Sequence, residues 1–307
     1  MTVHARTNEL TLGPVLFNWS PENWRDFYFR VADEAPVAVV YLGEAICFKR
    51  APLFEPYREA AAARLAAAGK IVVRATLAEV MSRQERALVA EACGPAGLVE
   101  ANDGSALLHL RGRQHHIGPF MNIYNERAVA VLARHGACNI CLPAEMHAAA
   151  IAALCANTAN LGVTIEMQVF GRLPLSLSAR CYHARAHGRS KDTCQFVCDN
   201  NPDGMPLRTL EDKPFLAVNG IQTISHDYLN LIGELADLQA MGVGRFRLSP
   251  HTCDMVEVAE IFRAALDCRI DGAEAADRLG ALKLEAPFCN GFYHGKPGKS
   301  WNQTGIH

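Results

Sequence analysis

The sequence predicts an α/β protein of the (β/α)8 TIM-barrel type, with a cysteine-bearing insertion after a late strand. Short β-rich apolar runs alternate with amphipathic stretches along the chain, and 307 residues suit one barrel as well as two ordinary domains. The alternative is a doubly wound open sheet, but Gly13 and Pro14 after the first strand lack the following glycines of a phosphate loop. We therefore expect one barrel-like domain over residues 1–290, an insertion at 171–210, and a polar, loosely held tail at 291–307.

About eight strands, each followed by a helix, are predicted in order, with Ile117–Met121 as an additional short extended piece. The strand candidates are Leu10–Asn18, Val37–Leu42, Lys70–Thr76, Leu98–Asn102, Ile117–Met121, Ile140–Leu142, Gly162–Phe170, Phe215–Val218 and Arg245–Leu248. The helix candidates are Pro21–Asp33, Pro56–Ala68, Leu77–Cys93, Asn125–His135, His147–Asn160, Asp227–Met241 and Met255–Asp267. Ser20 is a good N-cap for the first helix, and Gly69, Gly136 and Gly242 are good C-terminal stops.

The composition limits the possible partners and the compartment. The formal net charge is −2, so no overall attraction to nucleic acid or anionic lipid is expected, and small molecules or proteins are better candidates. The N-terminus Met1–Thr7 has no apolar signal region, and no stretch is long enough to span a bilayer. We expect a cytoplasmic protein, whose 11 cysteines are then buried thiols plus a metal or redox site rather than disulfides.

Three cysteines lie in the basic segment 180–198 with the spacing C-x12-C-x3-C, at Cys181, Cys194 and Cys198. Nearby Arg, Lys and His should lower the thiol pKa values and favour thiolate, the form that binds metal. Cys194 and Cys198 are four residues apart, and on a short helix both sulfurs would leave one face. A tetrahedral zinc site or a cubane iron–sulfur cluster then needs a fourth ligand from elsewhere.

Position in a barrel leaves two equal candidates for that fourth ligand. Cys47 follows the strand Val37–Leu42 and Cys253 follows Arg245–Leu248, and polar sites of barrels lie beyond the carboxyl ends of strands. The remaining cysteines considered are expected to be packing residues, because free cysteine is usually buried and residues three apart on a strand face opposite sides. They are Cys93, Cys155 and Cys268 late in helices, and Cys138 and Cys141 on a strand.

Several other residues are weaker site candidates. His183, Arg185, His187 and Arg189 flank Cys181 and would either assist the thiolates or an anionic substrate, or form a solvated basic loop. Glu145 and His251 each follow the end of a predicted strand. Each is either a site residue or a residue that only forms loop hydrogen bonds. No G-x-S-x-G, no H-E-x-x-H and no Cys/His pair apart from the cysteine cluster is present, which disfavours proteolysis.

The stretch Glu166–Gly171, followed by Ser178-Ala179-Arg180-Cys181 and then by Cys194 and Cys198, resembles the YhbU-type peptidase-like family. The resemblance covers nearly the whole chain, including Gly118–Asn125 and Leu142–Glu145. Pro174 stands where many relatives have a cysteine, so the local set is one thiol short. Catalytic residues remain unknown.

In iron–sulfur members of the family the missing ligand comes from near the N-terminus, and Cys47 in Gly43–Arg50 matches it. The resemblance therefore implies a [4Fe-4S] cluster on Cys47, Cys181, Cys194 and Cys198. It also implies a heterodimer with a UbiU-like protein that hydroxylates the ubiquinone ring without O2, with prephenate as oxygen donor. The alternatives are a zinc- or cluster-bearing scaffold without catalysis, and a peptidase-like hydrolase.

Overall fold

Eight parallel strands form the centre of the molecule in a computed structural model that describes residues 8–94, 96–282 and 284–302. The segment Met1–Thr7 and the last five residues of the predicted tail lie outside the described residues. The barrel strands are β1 (Glu9–Leu12), β2 (Val39–Leu42), β3 (Ile71–Ala75), β4 (Leu98–Ala101), β5 (His115–Ile117), β6 (Ala137–Leu142), β7 (Thr164–Leu177) and β11 (Arg245–Leu248).

The sheet closes on itself through β11. This strand pairs in parallel with β1, where Arg245 lies opposite Glu9, and with β7, where Arg245 lies opposite Glu166. The other neighbours, from β1–β2 to β6–β7, also pair in parallel. The predicted (β/α)8 barrel is confirmed, and the open-sheet alternative is wrong.

Helices follow the barrel strands, and one short helix lies in the insertion. They are α1 (Pro21–Glu34), α2 (Ala51–Ala67), α3 (Arg83–Ala92), α4 (Gly104–Leu110), α5 (Glu126–Arg134), α6 (Ala148–Thr158), α7 (Tyr182–Ala186), α8 (Leu235–Met241), α9 (Met255–Leu266) and α10 (Gly272–Ala281). The side chain of Ser20 accepts a hydrogen bond from the Asn23 N–H and begins α1 as predicted. The third helix begins at Arg83 instead of Leu77, because Ser82 and Glu85 form a reciprocal capping box.

An antiparallel arm leaves the barrel at Gly171. Strand β7 does not end at Phe170 as predicted but runs on to Leu177, and its outer half pairs with β10 (Gln222–Asn230). The arm also contains β8 (Met205–Arg208) and β9 (Pro214–Asn219), and β12 (Phe288–Cys289) pairs with β10. Gly171 has φ +105°, and a Cβ there would meet the Ser249 Cβ at 2.7 Å.

Five further predicted features need correction. The strand at 215–218 is real but belongs to this arm, and the helix predicted from Asp227 begins at Leu235 because Asp227 is still in β10. The first strand ends at Leu12, and helices α4 and α10 were not predicted. Contrary to the prediction of a loose tail, the Ala148 N–H donates to the Tyr293 carbonyl at 2.9 Å, and Tyr293 is buried.

A buried polar network fills part of the barrel interior. Glu166 Oε2 accepts hydrogen bonds from Tyr41 Oη at 2.8 Å and Asn139 Nδ2 at 2.7 Å, and lies 3.0 Å from Arg247 Nη2. Burial opposes the charge of Glu166, but Arg247 and the other donors outweigh burial and lower its pKa to about 2. The nearby His116 ring is neutral, because burial lowers its pKa to about 3. These charges are compensated within the barrel.

Candidate functional site

Four cysteines from two parts of the chain line one small cavity. They are the thiols that the sequence analysis assigned as cluster ligands, namely Cys47, Cys181, Cys194 and Cys198. Apolar side chains and the buried Arg50 complete much of its wall. Cys253, the other candidate for the fourth ligand, lies in a different cavity.

Cys47 reaches the cavity because the chain turns sharply after β2. Its backbone N–H donates to Glu44 Oε1 at 2.9 Å, and the residue caps a short 3-10 helix at Phe48–Arg50. Burial raises the pKa of the Cys47 thiol to about 11, although Arg50 acts in the opposite direction. Without a bound group, this thiol is therefore protonated at neutral pH.

Cys181 enters the cavity from the first turn of the insertion helix α7. Its Sγ accepts a hydrogen bond from the Ala184 N–H at 3.4 Å. Burial raises its pKa and outweighs the opposite effect of Arg50, so the predicted net lowering of this thiol pKa is wrong. The error has a physical cause: the basic side chains of the segment largely face solvent, whereas the thiol lies inside.

Cys194 and Cys198 are both buried, but they do not share a helix. Gln195 and Phe196 between them have φ values of 48° and 54°, in the left-handed region. Two successive left-handed residues break any helical turn, so only Cys198 lies in a 3-10 helix, at Val197–Asn200. The prediction of one helical face is wrong, although both residues border the same cavity.

Arg50 is a buried cation in the wall of the cysteine cavity. It is 1% exposed, and it donates from Nη1 to the Leu16 carbonyl at 2.9 Å and from Nη2 to Asn219 Oδ1 at 3.0 Å. Its Nε has no hydrogen-bond partner in the described part of the chain. Burial alone would lower the pKa of Arg50, but attraction to Glu44 and to the thiols of Cys198 and Cys47 raises it.

A second cation ties the insertion to the barrel at this place. Lys49 Nζ donates to the carbonyls of Lys191 at 2.8 Å and Asp192 at 3.0 Å, and lies 3.9 Å from Cys194 Sγ. Lys191 in turn pairs with Glu85 of α3 at 3.3 Å. The residues next to Cys47 thus hold the loop that carries Cys194.

The basic residues beside Cys181 differ in their exposure to solvent. Arg185 and His187 are exposed, as expected of a solvated loop. His183 is fully buried and lines the cysteine cavity, and its Nε2 lies 3.0 Å from Asn201 Oδ1. Burial lowers the pKa of His183 and so opposes a positive charge on this ring beside the thiols. The half-buried Arg189 donates to the Cys194 carbonyl at 3.2 Å.

The other predicted residues lie apart from this cavity. Cys141 is buried and Cys138 half-buried on β6, where alternation places them on opposite faces. Cys93 and Cys155 are buried as expected, but Cys268 is exposed beyond the end of α9, so its predicted packing role is wrong. Glu145 is exposed and accepts a hydrogen bond from Tyr124.

His251 and Pro174 line two other cavities. His251 is buried in the wall of the large cavity that contains Cys253, and its Nε2 accepts from the Arg172 N–H at 3.0 Å. Pro174 lies on β7 beside a separate cavity with Glu145, so the position of the relatives' extra cysteine does not border the four thiols.

Among the residues that the structure describes, no three His, Cys, Asp or Glu side chains are arranged to hold a single metal ion. A zinc ion draws its four ligands to 2.0–2.3 Å of one centre. A [4Fe-4S] cluster binds one thiolate per iron and keeps the four sulfurs further apart. The donor set of four thiols, and the unpartnered Arg50 Nε, fit an anionic cysteine-bound cluster.

Sequence reasoning missed Arg50, Lys49 and Glu44 as site residues. The signal was present in the run Glu44 to Arg50 around Cys47, where two cations follow the thiol directly. Their burial was not visible, because it depends on the insertion folding back over the end of β2.

The fold and this cavity together define a class: a closed (β/α)8 barrel whose inserted arm brings three cysteines to a fourth beyond β2. Residues 22–303 match the family model described as Peptidase family U32. The chain belongs to this family.

Several solved structures match this chain at low sequence identity. A DAHP synthase from Thermotoga maritima is 12% identical over 91% of this chain and 71% of its own, with a TM-score of 0.43. The HPPK-DHPS protein of Plasmodium falciparum is 9% identical over 86% of this chain and 46% of its own, with a TM-score of 0.45. A dihydropteroate synthase from Stenotrophomonas maltophilia is 13% identical over 89% and 94%, with a TM-score of 0.41.

The helices of residues 8–94, 96–282 and 284–302 are all too short or too polar to cross a membrane.

Proposed function

We propose that this protein is the iron–sulfur subunit, similar to UbiV, of an O2-independent hydroxylase complex in ubiquinone biosynthesis. In this proposal it acts with a UbiU-like partner, and prephenate is the oxygen donor. The observation on which the proposal depends is the meeting of Cys47, Cys181, Cys194 and Cys198 around one cavity beside Arg50. Membership of peptidase family U32 and the family resemblance of these positions give further support.

The chemistry of the cavity wall favours a thiolate-bound, negatively charged group. Thiolates are soft ligands that suit iron–sulfur clusters and zinc. Four thiolates around either group leave a net negative charge, which is costly to bury without a cation. Arg50 supplies that cation, and its free Nε–H is available to a sulfur acceptor, while Lys49 Nζ lies 3.9 Å from Cys194 Sγ.

The residues of this chain would hold and shield the group. Phe196 and Val197 are part of the wall and limit water access, and the Ala184 N–H donates to Cys181 Sγ. When bound, a [4Fe-4S] cluster supplies one-electron transfer. Because all four ligands would be cysteine, no iron is left open to a substrate, which favours electron transfer or a structural role over Lewis-acid chemistry.

The physiological test is ubiquinone content after deletion of the gene. We expect the quinone to disappear in anaerobic cells and to stay normal in aerobic ones. Complementation with Cys47→Ser should fail under anaerobic conditions, whereas Cys268→Ser, at an exposed cysteine outside both cavities, should restore the quinone. Normal anaerobic ubiquinone in the deletion strain would remove the hydroxylase proposal.

The zinc scaffold is the second candidate, because the same four thiols suit zinc. Anaerobic purification separates the two. A colourless protein with stoichiometric zinc and no acid-labile sulfide would replace the cluster proposal by the scaffold. Co-purification with a UbiU-like protein from anaerobic cells tests the partner separately.

A further inference from the structure

A large cavity of about 960 Å³ lies beside the cysteine site. Its wall includes Trp19, beyond the end of β1, and His251, beyond the end of β11. In (β/α)8 enzymes this is the face at which ligands bind, and the volume is that of a small-molecule pocket. Phe196, between two of the cysteines, borders both cavities.

The wall is suited to an apolar ring. Trp19 and Phe27 meet edge to face with their ring centroids 5.2 Å apart, and Phe196 and Met255 add further apolar surface. Trp19 is held in place, since its Nε1 donates to the Pro202 carbonyl at 2.8 Å. Fixed aromatic side chains bind planar rings by edge and face contacts at small entropic cost.

The charges of the wall disfavour an anionic ligand. Arg30 is the one Arg or Lys among the described lining residues, and it is paired with Glu34 and Asp254 at 2.9 Å each. Asp26 and Asp199 also line the cavity. A negatively charged ligand would meet carboxylates and no free Arg or Lys, so an uncharged one fits better.

Asn18 contributes to the wall a buried polar atom that has no partner among the described residues. Asn18 is 3% exposed, and its Oδ1 accepts no hydrogen bond from the described residues. A buried amide oxygen of this kind needs a donor, which a ligand hydroxyl supplies. Asn18 and Trp19 are adjacent in the sequence, and both line this cavity.

We propose that this cavity binds an uncharged phenol, with the ring against Trp19 and Phe196 and the hydroxyl donating to Asn18 Oδ1. Binding itself does not depend on the cysteine site. The further step, that this phenol is the ring to be hydroxylated, rests on the proposed function, and the position of Phe196 next to Cys194 and Cys198 is its structural basis.

The test uses calorimetric titration of the full chain, prepared with and without iron, against 2-propylphenol and its methyl ether. The ether has the same ring but no hydroxyl donor. We expect the phenol to bind about tenfold more tightly than the ether, which corresponds to one hydrogen bond. Because the iron-free chain is included, failure of the cluster proposal leaves this result intact.

Variants decide the role of each wall residue. Asn18→Leu should reduce the preference for phenol over ether to less than about twofold, while Asn18→Asp, which keeps an acceptor, should retain it. Phe196→Ala should weaken both ligands equally, and the exposed Asn157→Leu should behave as wild type. Equal affinities of the two ligands for the wild type, no binding of either, or an unchanged preference in folded Asn18→Leu would overturn the proposal. If Asn18→Leu does not fold, loss of the preference in Asn18→Asp overturns it.

Discussion

Replacing Arg50 with methionine should destabilise the protein more than any other single charge removal near the site. Methionine keeps most of the length of the side chain but removes the cation and both of its hydrogen bonds, to the Leu16 carbonyl and to Asn219. Glu44 also loses the charge that opposes the rise of its pKa on burial. The perturbation therefore acts on electrostatics and hydrogen bonding at one buried point.

The size of the effect follows from what is left unpaired. Leaving a buried polar group without its partner typically costs about 1–3 kcal/mol, and more when a charged group is involved. Here the Leu16 carbonyl keeps a partner, because Asn219 Nδ2 donates to it at 2.6 Å. About 3 kcal/mol is therefore expected, because Asn219 Oδ1 loses its donor and Glu44 its opposing charge, together with a loss of bound iron because the anionic group loses its buried counter-ion.

Urea unfolding monitored by far-UV circular dichroism under anaerobic conditions measures this change, with iron content determined on the same samples. Arg185→Met is the matched control, since Arg185 is exposed in the same region, and its effect should stay within about 0.5 kcal/mol. An Arg50→Met protein with the stability and iron content of wild type would refute the assigned role of this cation.

Two further predictions concern the barrel interior and the turn beneath Arg50. Burial lowers the pKa of His116 from 6.5 to about 3, so His116 is neutral in the folded state at neutral pH. The protein therefore loses stability as the pH falls from 6.5 toward 3, because the unfolded chain binds the proton first. Between pH 7 and pH 5 this loss is about 2 kcal/mol and should be missing in His116→Gln; equal losses in both proteins would contradict the buried neutral ring. Gly220 has φ +64°, and a Cβ there would meet Arg50 Nη2 at 2.9 Å, so Gly220→Ala should cost about 2 kcal/mol. Gly162→Ala, at φ +68° in open space, should cost about 1 kcal/mol in the same thermal unfolding assay, and equal costs would count against the contact.

Local signals were sufficient for most of the barrel. The strand Arg245–Leu248 and the start of α1 after Ser20 match their predictions, because strand periodicity and helix capping depend on neighbouring residues. Phe215–Val218 has the same local pattern as a barrel strand, yet it pairs with β8 and β10 in the arm. Pairing partners are a property of the tertiary structure, and the sequence pattern does not contain them.

For the candidate site, too, the sequence did not show which residues meet or which are buried in the folded protein. The spacing of Cys181, Cys194 and Cys198 pointed to a common site, and position in the barrel left Cys47 and Cys253 as equal candidates; the structure places Cys47 at the cavity and Cys253 elsewhere. The thiol environment was misjudged, because the charge of a segment does not show which of its side chains are buried. Cys181 faces inward while Arg185 faces solvent, so burial determines the pKa of the thiol.

Iron and acid-labile sulfide per chain, measured after anaerobic reconstitution, test the central claim most directly. We predict about four of each in the wild type and in Cys253→Ala, and loss of most of both in Cys47→Ala. Electron paramagnetic resonance of the reduced wild type should show a single cluster signal. Retention of iron and sulfide in Cys47→Ala, or their loss in Cys253→Ala alone, would contradict a cluster held at the cavity of Cys47, Cys181, Cys194 and Cys198.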